Sequence, residues 1–161
     1  MSKDIYVLAG QRDGEIKKVS IELIGKAREL AKDLDQKVVA MLLGSGIKEK
    51  AETLIAYGAD EVVVVDNPML AEYVTEPYTK ALYEIIENYN PEIVLYGASS
   101  IGRDLAPRVF ARVHTGLTAD CTGLAIDAET KLLMMTRPAF GGNIMATIVC
   151  ERHRPQMATV R

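Results

Sequence analysis

The stretch Val38-Val-Ala-Met-Leu-Leu43 is apolar at every position, and this run predicts the fold of the chain. A strand without polar alternation has both faces buried, as strands of parallel sheets do. Before it come a short apolar strand at residues 5–9 and a helical pattern that begins near Ser20, a candidate N-cap. Parallel strands need a crossover between them, so these segments form one βαβ unit.

Strands and helices continue to alternate after this unit. Residues 62–65 are four valines, which we expect to form a central strand, and residues 92–96 form the next strand after a helix at 78–89. This alternation predicts an α/β fold in three layers, a parallel sheet with flanking helices and right-handed crossovers. After His114, short extended segments joined by tight turns predict antiparallel strands that extend the sheet in the last third. At 161 residues the chain should form a single domain, 1–161.

The composition excludes several classes of protein. A net charge of −3 and a sequence pI near 5.5 lack the excess of basic residues that is typical of nucleic-acid-binding domains. No apolar run approaches the roughly 20 residues that a membrane helix needs. The N-terminus also lacks the apolar segment of a signal peptide. We therefore expect a cytoplasmic protein that binds no nucleic acid and inserts into no membrane.

Side chains that could carry catalysis or hold a metal are sparse. Cys121 and Cys150 lie far apart with apolar or small neighbours, which favours buried free thiols over a disulfide. His114 and His153 do not have the spacing of metal ligands, either with each other or with the cysteines. The sequence contains neither a nucleophile elbow nor a Walker loop. We therefore predict no catalytic residue, no metal site, and an electron-transfer or binding component whose cofactor carries the reactivity.

Two glycine-containing turns follow predicted strands. Gly44-Ser-Gly46 opens a helix as a dinucleotide loop does, but Glu49 stands where that fingerprint has its third glycine. The other interpretation of this segment is a plain glycine turn. Gly97-Ala-Ser-Ser-Ile-Gly102 leaves the carboxyl end of a strand, where open α/β sheets bind ligands. There Ser99 or Ser100 can cap a helix whose N-terminus attracts anions.

Charged residues follow the second turn in the same predicted helix. Asp104 and Arg108 lie four positions apart and can pair along the helix, which leaves Arg103 to reach elsewhere. The alternative is an ordinary capped helix with a salt-bridged first turn.

Two extended arms meet at a glycine bend in the stretch Leu133-Met-Met-Thr-Arg-Pro-Ala-Phe-Gly-Gly-Asn-Ile-Met-Ala-Thr147. Gly141 and Gly142 tolerate positive φ, so the bend presents Arg137, Phe140 and bare peptide N–H groups together. A permanent cation, an aromatic face and small residues suit a flat anionic cofactor or a partner subunit. The alternative is a β-hairpin with a satisfied surface arginine.

Four long motifs resemble the amino-terminal domain of the electron transfer flavoprotein α subunit, in the order of that family. They are Gly97-Ala-Ser-Ser-Ile-Gly-Arg-Asp-Leu-Ala-Pro-Arg108, Thr115-Gly-Leu-Thr-Ala-Asp-Cys-Thr-Gly123, Thr136-Arg-Pro-Ala-Phe-Gly-Gly-Asn143 and Arg154-Pro-Gln-Met-Ala-Thr-Val-Arg161. The resemblance covers essentially the whole chain, including the opening strand and the turn Tyr57-Gly-Ala-Asp60.

The resemblance implies an α/β heterodimer that contains FAD and accepts electrons from flavin dehydrogenases, such as the acyl-CoA dehydrogenases of fatty acid β-oxidation. It implies a fold of the adenine nucleotide alpha hydrolase-like type, in a domain that is not itself a hydrolase. The family's α subunit also has a carboxy-terminal FAD-binding domain, which this chain lacks. We therefore expect a separate fragment that keeps little or no flavin alone.

The third motif is similar to the form found in flavin-bifurcating members, in which a second FAD sits in the β subunit against this domain. That match implies that Arg137 lies near this flavin, together with Phe140, Gly141 and Gly142. Its guanidinium would stabilise negative charge on the ring and so bias the flavin potential.

Two other interpretations stay open on the sequence alone. The first is a stand-alone adenine-nucleotide-binding protein that uses Gly44 and Gly46, or the loop from Gly97 to Gly102, as a phosphate cradle. The second is a docking module in which the bend at Arg137 contacts only protein.

Overall fold

The computed structural model describes residues 1–139, 141 and 143–161. Its helices are α1 (Lys18–Leu34), α2 (Ala51–Ala56), α3 (Thr75–Tyr89) and α4 (Ser100–Val113), with short 3-10 turns at Lys48–Lys50 and Pro68–Leu70. Its strands are β1 (Ile5–Leu8), β2 (Gln11–Arg12), β3 (Glu15–Ile16), β4 (Val38–Gly44), β5 (Glu61–Asp66), β6 (Ile93–Gly97), β7 (Leu117–Cys121), β8 (Gly123–Ile126), β9 (Leu133–Pro138), β10 (Met145–Ile148) and β11 (Gln156–Val160).

Six strands form the main sheet, in the order β5-β4-β1-β6-β11-β7, and every pair is parallel. A three-stranded antiparallel sheet has the order β10-β9-β8, and β2 and β3 form a small hairpin. The parallel sheet with flanking helices and the antiparallel strands of the last third confirm the predicted fold class. The antiparallel strands form a separate sheet and do not extend the main one, because β7 and β11 join the main sheet as parallel strands.

The core lies in two layers, one on each face of the main sheet. On one face, α1 and α2 pack against β1, β4 and β6, and the small sheet adds Leu124, Leu133 and Met135 to the same cluster. On the other face, α3 and α4 cover the sheet, and Tyr96 is fully buried beneath them. Because both faces are covered, β4 is buried along its whole length, as its apolar run predicts.

The four valines of residues 62–65 lie in an edge strand, so the prediction of a central strand is wrong. β5 lies at the end of the sheet beside β4, and its valines are half-buried. β-Branched residues favour any strand, whatever its place in the sheet. The crossovers set the order here, since β6 pairs with the far side of β1 and leaves β5 outermost.

Ser20 does not cap α1, which begins two residues earlier at Lys18 after Lys17 in extended conformation. The Ser20 side chain is buried, and its hydroxyl oxygen accepts the backbone N–H of Gly10 at 2.7 Å. The serine therefore ties the helix to the chain that leaves β1. A sequence pattern could not show this contact, because the partner lies ten residues away.

Candidate functional site

Three strands of the main sheet end together at one edge, where the four motifs of the sequence meet. α4 begins directly after β6, and the Ala98 N–H donates to the carbonyl of Val160 at the end of β11, at 2.7 Å. The Arg161 N–H donates to the Cys121 carbonyl at 3.0 Å. The Thr122 N–H then donates to the Thr136 carbonyl of β9 at 2.8 Å. We call this region the carboxyl edge and define it by Arg103, Asp120, Cys121 and Arg137.

Arg137 lies on β9 opposite Ala146 of β10 and is half-buried. It shares the face of β9 that carries Leu133 and Met135, both of which are buried. Burial raises the pKa of the Cys121 thiol to about 11, and the nearby positive charge of Arg137 offsets part of that rise. The guanidinium charge therefore acts on the carboxyl edge. Among the described residues, Arg137 makes no ion pair.

The described residues of the bend after Arg137, among them Gly141, Asn143 and Ile144, are exposed. The Ala139 N–H donates to the Ile144 carbonyl at 2.7 Å and closes the hairpin between β9 and β10. Gly141 has φ +80°, and a Cβ on it would meet nothing within 4 Å, so its backbone is open to a neighbour. Ile144 is 65% exposed. Phe140 and Gly142, which we expect at the same site, lie outside the described residues.

Exposed apolar side chains continue along the outer strand of this hairpin. Met145, Ile148 and Val149 are exposed, and β10 is the edge strand of the small sheet. Apolar residues that cluster on an exposed strand edge are a feature of surfaces that bind a partner.

The first turn of α4 brings Arg103 to the carboxyl edge. The Ser99 hydroxyl oxygen accepts the Gly102 N–H at 3.2 Å, which confirms Ser99 as the helix cap. Arg103 Nε donates to Asp120 Oδ1 at 3.3 Å. The sequence predicts that Arg103 reaches beyond its own helix, but it does not identify Asp120 as its partner.

The predicted ion pair of Asp104 with Arg108 does not form. Asp104 Oδ2 instead accepts the hydroxyls of Tyr73 and Thr75, each at 2.6 Å. These two hydrogen bonds, that of Thr75 first, lower the pKa of Asp104. Arg108 turns to Glu76 at 3.5 Å. The start of α3 thus supplies closer partners than the adjacent turn of α4.

The turn from Gly44 to Gly46 is already occupied by a carboxylate of the chain itself. Asp66, at the end of β5, accepts the backbone N–H of Gly46 at 2.9 Å and that of Ile47 at 3.0 Å. These two backbone hydrogen bonds, that of Gly46 first, lower the pKa of Asp66. A phosphate at this turn would meet a negative charge, so the structure favours a plain glycine turn over a dinucleotide loop.

We expect the protein to lose stability in acid as Asp66 becomes protonated. Its folded pKa lies below the ordinary value of 3.8. The stabilisation is therefore complete above that ordinary value and is lost as the pH falls through the lower folded value. In urea unfolding, Asp66→Asn should be less stable than the native chain at neutral pH, and the difference should shrink in acid.

Asp33→Asn is the control for the Asp66 substitution. Asp33 lies on the exposed side of α1, so its substitution removes the same charge at a position away from the glycine turn that Asp66 binds. Its effect on the free energy of unfolding at neutral pH should be small. A constant difference between Asp66→Asn and the native chain over the whole acid range would contradict the proposed role of the carboxylate.

Cys121 is buried, Cys150 is half-buried, and both thiols are free. No group of three or more His, Cys, Asp or Glu side chains that could hold a metal ion occurs in the part of the chain that the structure describes. No helix over the same residues is both long and apolar enough to cross a membrane.

Comparison with known proteins gives consistent matches over the whole chain. The family model of the electron transfer flavoprotein domain matches residues 5–161. The electron transfer flavoprotein subunit alpha of Thermoanaerobacterium thermosaccharolyticum is 56% identical over 159 residues, which are 99% of this chain and 48% of that protein. The electron transfer flavoprotein subunit alpha of Clostridium acetobutylicum is 52% identical, with 99% of this chain and 47% of that protein covered.

A relative with a different name is similar to the same degree. The lactate dehydrogenase (NAD(+),ferredoxin) subunit LctC of Acetobacterium woodii is 52% identical over 159 residues, which are 99% of this chain and 38% of that protein. The chain thus spans about half the length, or less, of these curated relatives.

Proposed function

The chain belongs to the electron transfer flavoprotein family, and on that premise we propose that it is the part of an α subunit that places Arg137 against a flavin. The flavin is an FAD held mainly by the β subunit. The observation that carries this proposal is the half-buried Arg137 close to the exposed backbone of Gly141.

The described residues fit one edge of a flavin ring rather than a whole FAD. Arg137 offers a permanent positive charge, and the open backbone at Gly141 lets a flat group come close. The glycine turn that could cradle a pyrophosphate is filled by Asp66. This division explains why we expect the chain alone to keep little or no FAD.

When bound, FAD supplies the electron-transfer chemistry, and the protein supplies orientation and electrostatics. Arg137 stabilises negative charge on the ring, because its guanidinium is positively charged. Its position in the middle strand of the small sheet, on the same face as the buried Leu133 and Met135, restricts its access to water and strengthens this electrostatic effect.

The β subunit is the partner that we propose for the exposed hairpin. Ile144, Met145, Ile148 and Val149 give β10 an apolar outer edge next to the bend. A partner that covers this edge would also cover Arg137, so docking and flavin contact would occur at one surface.

The donors of the electrons are proposed from the names of the relatives. The name of the Acetobacterium woodii relative includes NAD(+) and ferredoxin, which favours a flavin-bifurcating heterodimer with a second FAD near Arg137. Flavin dehydrogenases, such as acyl-CoA dehydrogenases, remain the proposed donors. The cytoplasmic location stays a prediction from the sequence.

The stand-alone nucleotide-binding interpretation finds little support in the geometry. The cavity lined by Gly10, Gly97 and Gly102 has a volume of about 30 Å³, whereas ligand pockets have roughly 300 Å³ or more. An open groove of about 520 Å³ outside it carries charges of both signs, among them Lys17 and Glu72. Micromolar binding of ATP or AMP by the chain alone would contradict our assignment.

The test of the proposed function is Arg137→Ala in a reconstituted heterodimer. A chimeric α subunit can carry residues 1–161 in place of the matching half of the Thermoanaerobacterium thermosaccharolyticum relative and be co-expressed with the β subunit. We expect a lower flavin midpoint potential, because removing the cation destabilises the more negative, reduced ring. Arg137→Lys should keep most of the native potential, because it keeps the charge.

The flavins per heterodimer are counted in the same preparations. Two flavins would support the bifurcating form, and one FAD with AMP would support the ordinary carrier. Unchanged potentials in Arg137→Ala, in a heterodimer that retains its flavins, would remove the role proposed for Arg137. Loss of β-subunit binding without any flavin effect would instead indicate a docking module.

A further inference from the structure

Asp120 has an unusual backbone conformation for a residue in a strand. Its φ is +55°, in the left-handed region, where aspartate is one of the few tolerated side chains. Thr118 pairs with Ala158 and Cys121 with Val160, so β7 carries one extra residue relative to β11. This is a β-bulge, a feature that redirects a side chain at the end of a strand.

Neighbouring side chains hold this bulge in place. The Asp120 N–H donates to the Thr159 hydroxyl at 2.8 Å, so the amide released from the ladder has a partner. The extra residue also returns Cys121 to the core, where it is fully buried. The Asp120 carboxylate is thereby directed away from the core and toward α4.

The carboxylate holds Arg103 through one nitrogen of its guanidinium. Arg103 Nε donates to Asp120 Oδ1 at 3.3 Å, and the side chains are 57% and 27% exposed. An ion pair this exposed adds at most about 1 kcal/mol to stability, so stability alone does not account for the bulge. Since the contact uses Nε, the terminal nitrogens of Arg103 are left to face other groups.

Asp120 and Arg137 thus place two opposite formal charges near the buried Cys121 thiol, and Arg103 joins them through its ion pair with Asp120. The Thr122 N–H donates to the Thr136 carbonyl at 2.8 Å, so the chain just after Asp120 lies beside the residue before Arg137. In agreement with this geometry, Asp120 and Arg137 act in opposite directions on the pKa of Cys121. Over these three residues, two cations and one carboxylate sum to +1, and Arg161, whose N–H donates to the Cys121 carbonyl, adds a further cation at the same edge. Without the carboxylate the sum over the three residues would be +2.

We propose that Asp120 is a positioning residue that orients Arg103 and limits the positive charge that the carboxyl edge presents to a flavin. This proposal rests on the proposed function, since it requires a flavin close to Arg137. It assigns to the pair of Arg103 and Asp120 a role in setting the flavin potential, with Asp120 as the counter-ion.

The test is a double-mutant cycle in the reconstituted heterodimer, with the flavin midpoint potential as the readout. Asp120→Asn keeps the size and the tolerance of the left-handed conformation but removes the charge. It should raise the midpoint potential, because a more positive edge favours the reduced ring. Arg103→Gln should lower the potential, and the double variant should lie near the native value.

Asp127→Asn is the matched control for Asp120→Asn. Asp127 is a half-buried residue between β8 and β9, at the end of the small sheet away from Arg137, where its carboxylate accepts the N–H groups of Glu129 and Thr130. Its substitution makes the same change in net charge, but it should leave the potential unchanged. Equal shifts in the two variants would mean a general charge effect and would overturn the role of Asp120.

The outcomes separate this proposal from the one on which it rests. A shifted potential in Arg137→Ala with no shift in Asp120→Asn or Arg103→Gln would overturn the role of Asp120 and leave the proposed function intact. No shift in any of these variants would overturn both proposals. If Asp120→Asn does not fold, Arg103→Gln decides, since a lowered potential supports the pair and a native potential contradicts it.

Discussion

Gly102→Ala is expected to destabilise the protein strongly, by about 3 kcal/mol. A Cβ at this position would lie 1.9 Å from the Gly97 carbonyl oxygen, which is a backbone atom that cannot turn aside. The first turn of α4 would have to move away from the end of β6. That movement would also break the Ser99 cap and displace Arg103 from Asp120. Urea unfolding of the native chain and the variant measures the loss.

Gly25→Ala is the matched control for this substitution. Gly25 also lies in a helix, in the middle of α1, but it is exposed and a Cβ there meets nothing within 4 Å. Alanine should raise the free energy of unfolding by about 0.5–1 kcal/mol, because glycine loses more backbone entropy in a helix. Two glycine-to-alanine changes in helices should therefore have opposite signs. A gain in stability for Gly102→Ala would show that the close approach of α4 to β6 is wrong.

Val7→Ala is expected to lower the free energy of unfolding by about 2–3 kcal/mol. Val7 is fully buried in β1, between β4 and β6. Removing its two methyl groups loses about 0.8 kcal/mol of transfer energy per carbon, and the remaining cavity adds to this loss. The measurement is urea unfolding, with an unchanged slope as evidence that the denatured state is unaffected.

Val64→Ala makes the same chemical change on the same face of the sheet. Val64 packs against the same cluster as Val7, but it is only half-buried in the edge strand β5. Its substitution should lower stability by about 1 kcal/mol or less, because partly exposed methyl groups gain less from folding. Equal losses for the two variants would contradict the edge position of β5.

The candidate site is predictable from the sequence in its parts but not in its assembly. The positive φ of Gly141 and the Ser99 cap follow from local patterns, and the structure bears these out. Arg103 does reach beyond its own helix, but not for the predicted reason, because Asp104 and Arg108 do not pair. The flavin contact of Arg137 remains a proposal. Asp120 is not predictable as the partner of Arg103, because nothing in a single sequence marks a bulge stabilised by a threonine 39 residues away.

Errors arise where a local pattern is used to decide a distant contact. Asp104 and Arg108 have the spacing of a helical pair, but Tyr73 and Thr75 offer closer hydroxyl donors to Asp104. Ser20 has the chemistry of an N-cap, but its hydroxyl binds the chain leaving β1. In each case a partner from another element replaces the one that local spacing favours.

Local sequence patterns predict most of the elements: which longer segments are strands and helices, where glycine permits a bend, and that a parallel sheet is covered on both faces. These properties depend on backbone conformation and on the period of burial, which act over a few residues. Three features depend on tertiary contacts: β5 lies at the edge, Asp66 fills the glycine turn, and Asp120 holds Arg103. Such contacts join residues far apart in the chain, and the same local pattern is compatible with more than one order of strands.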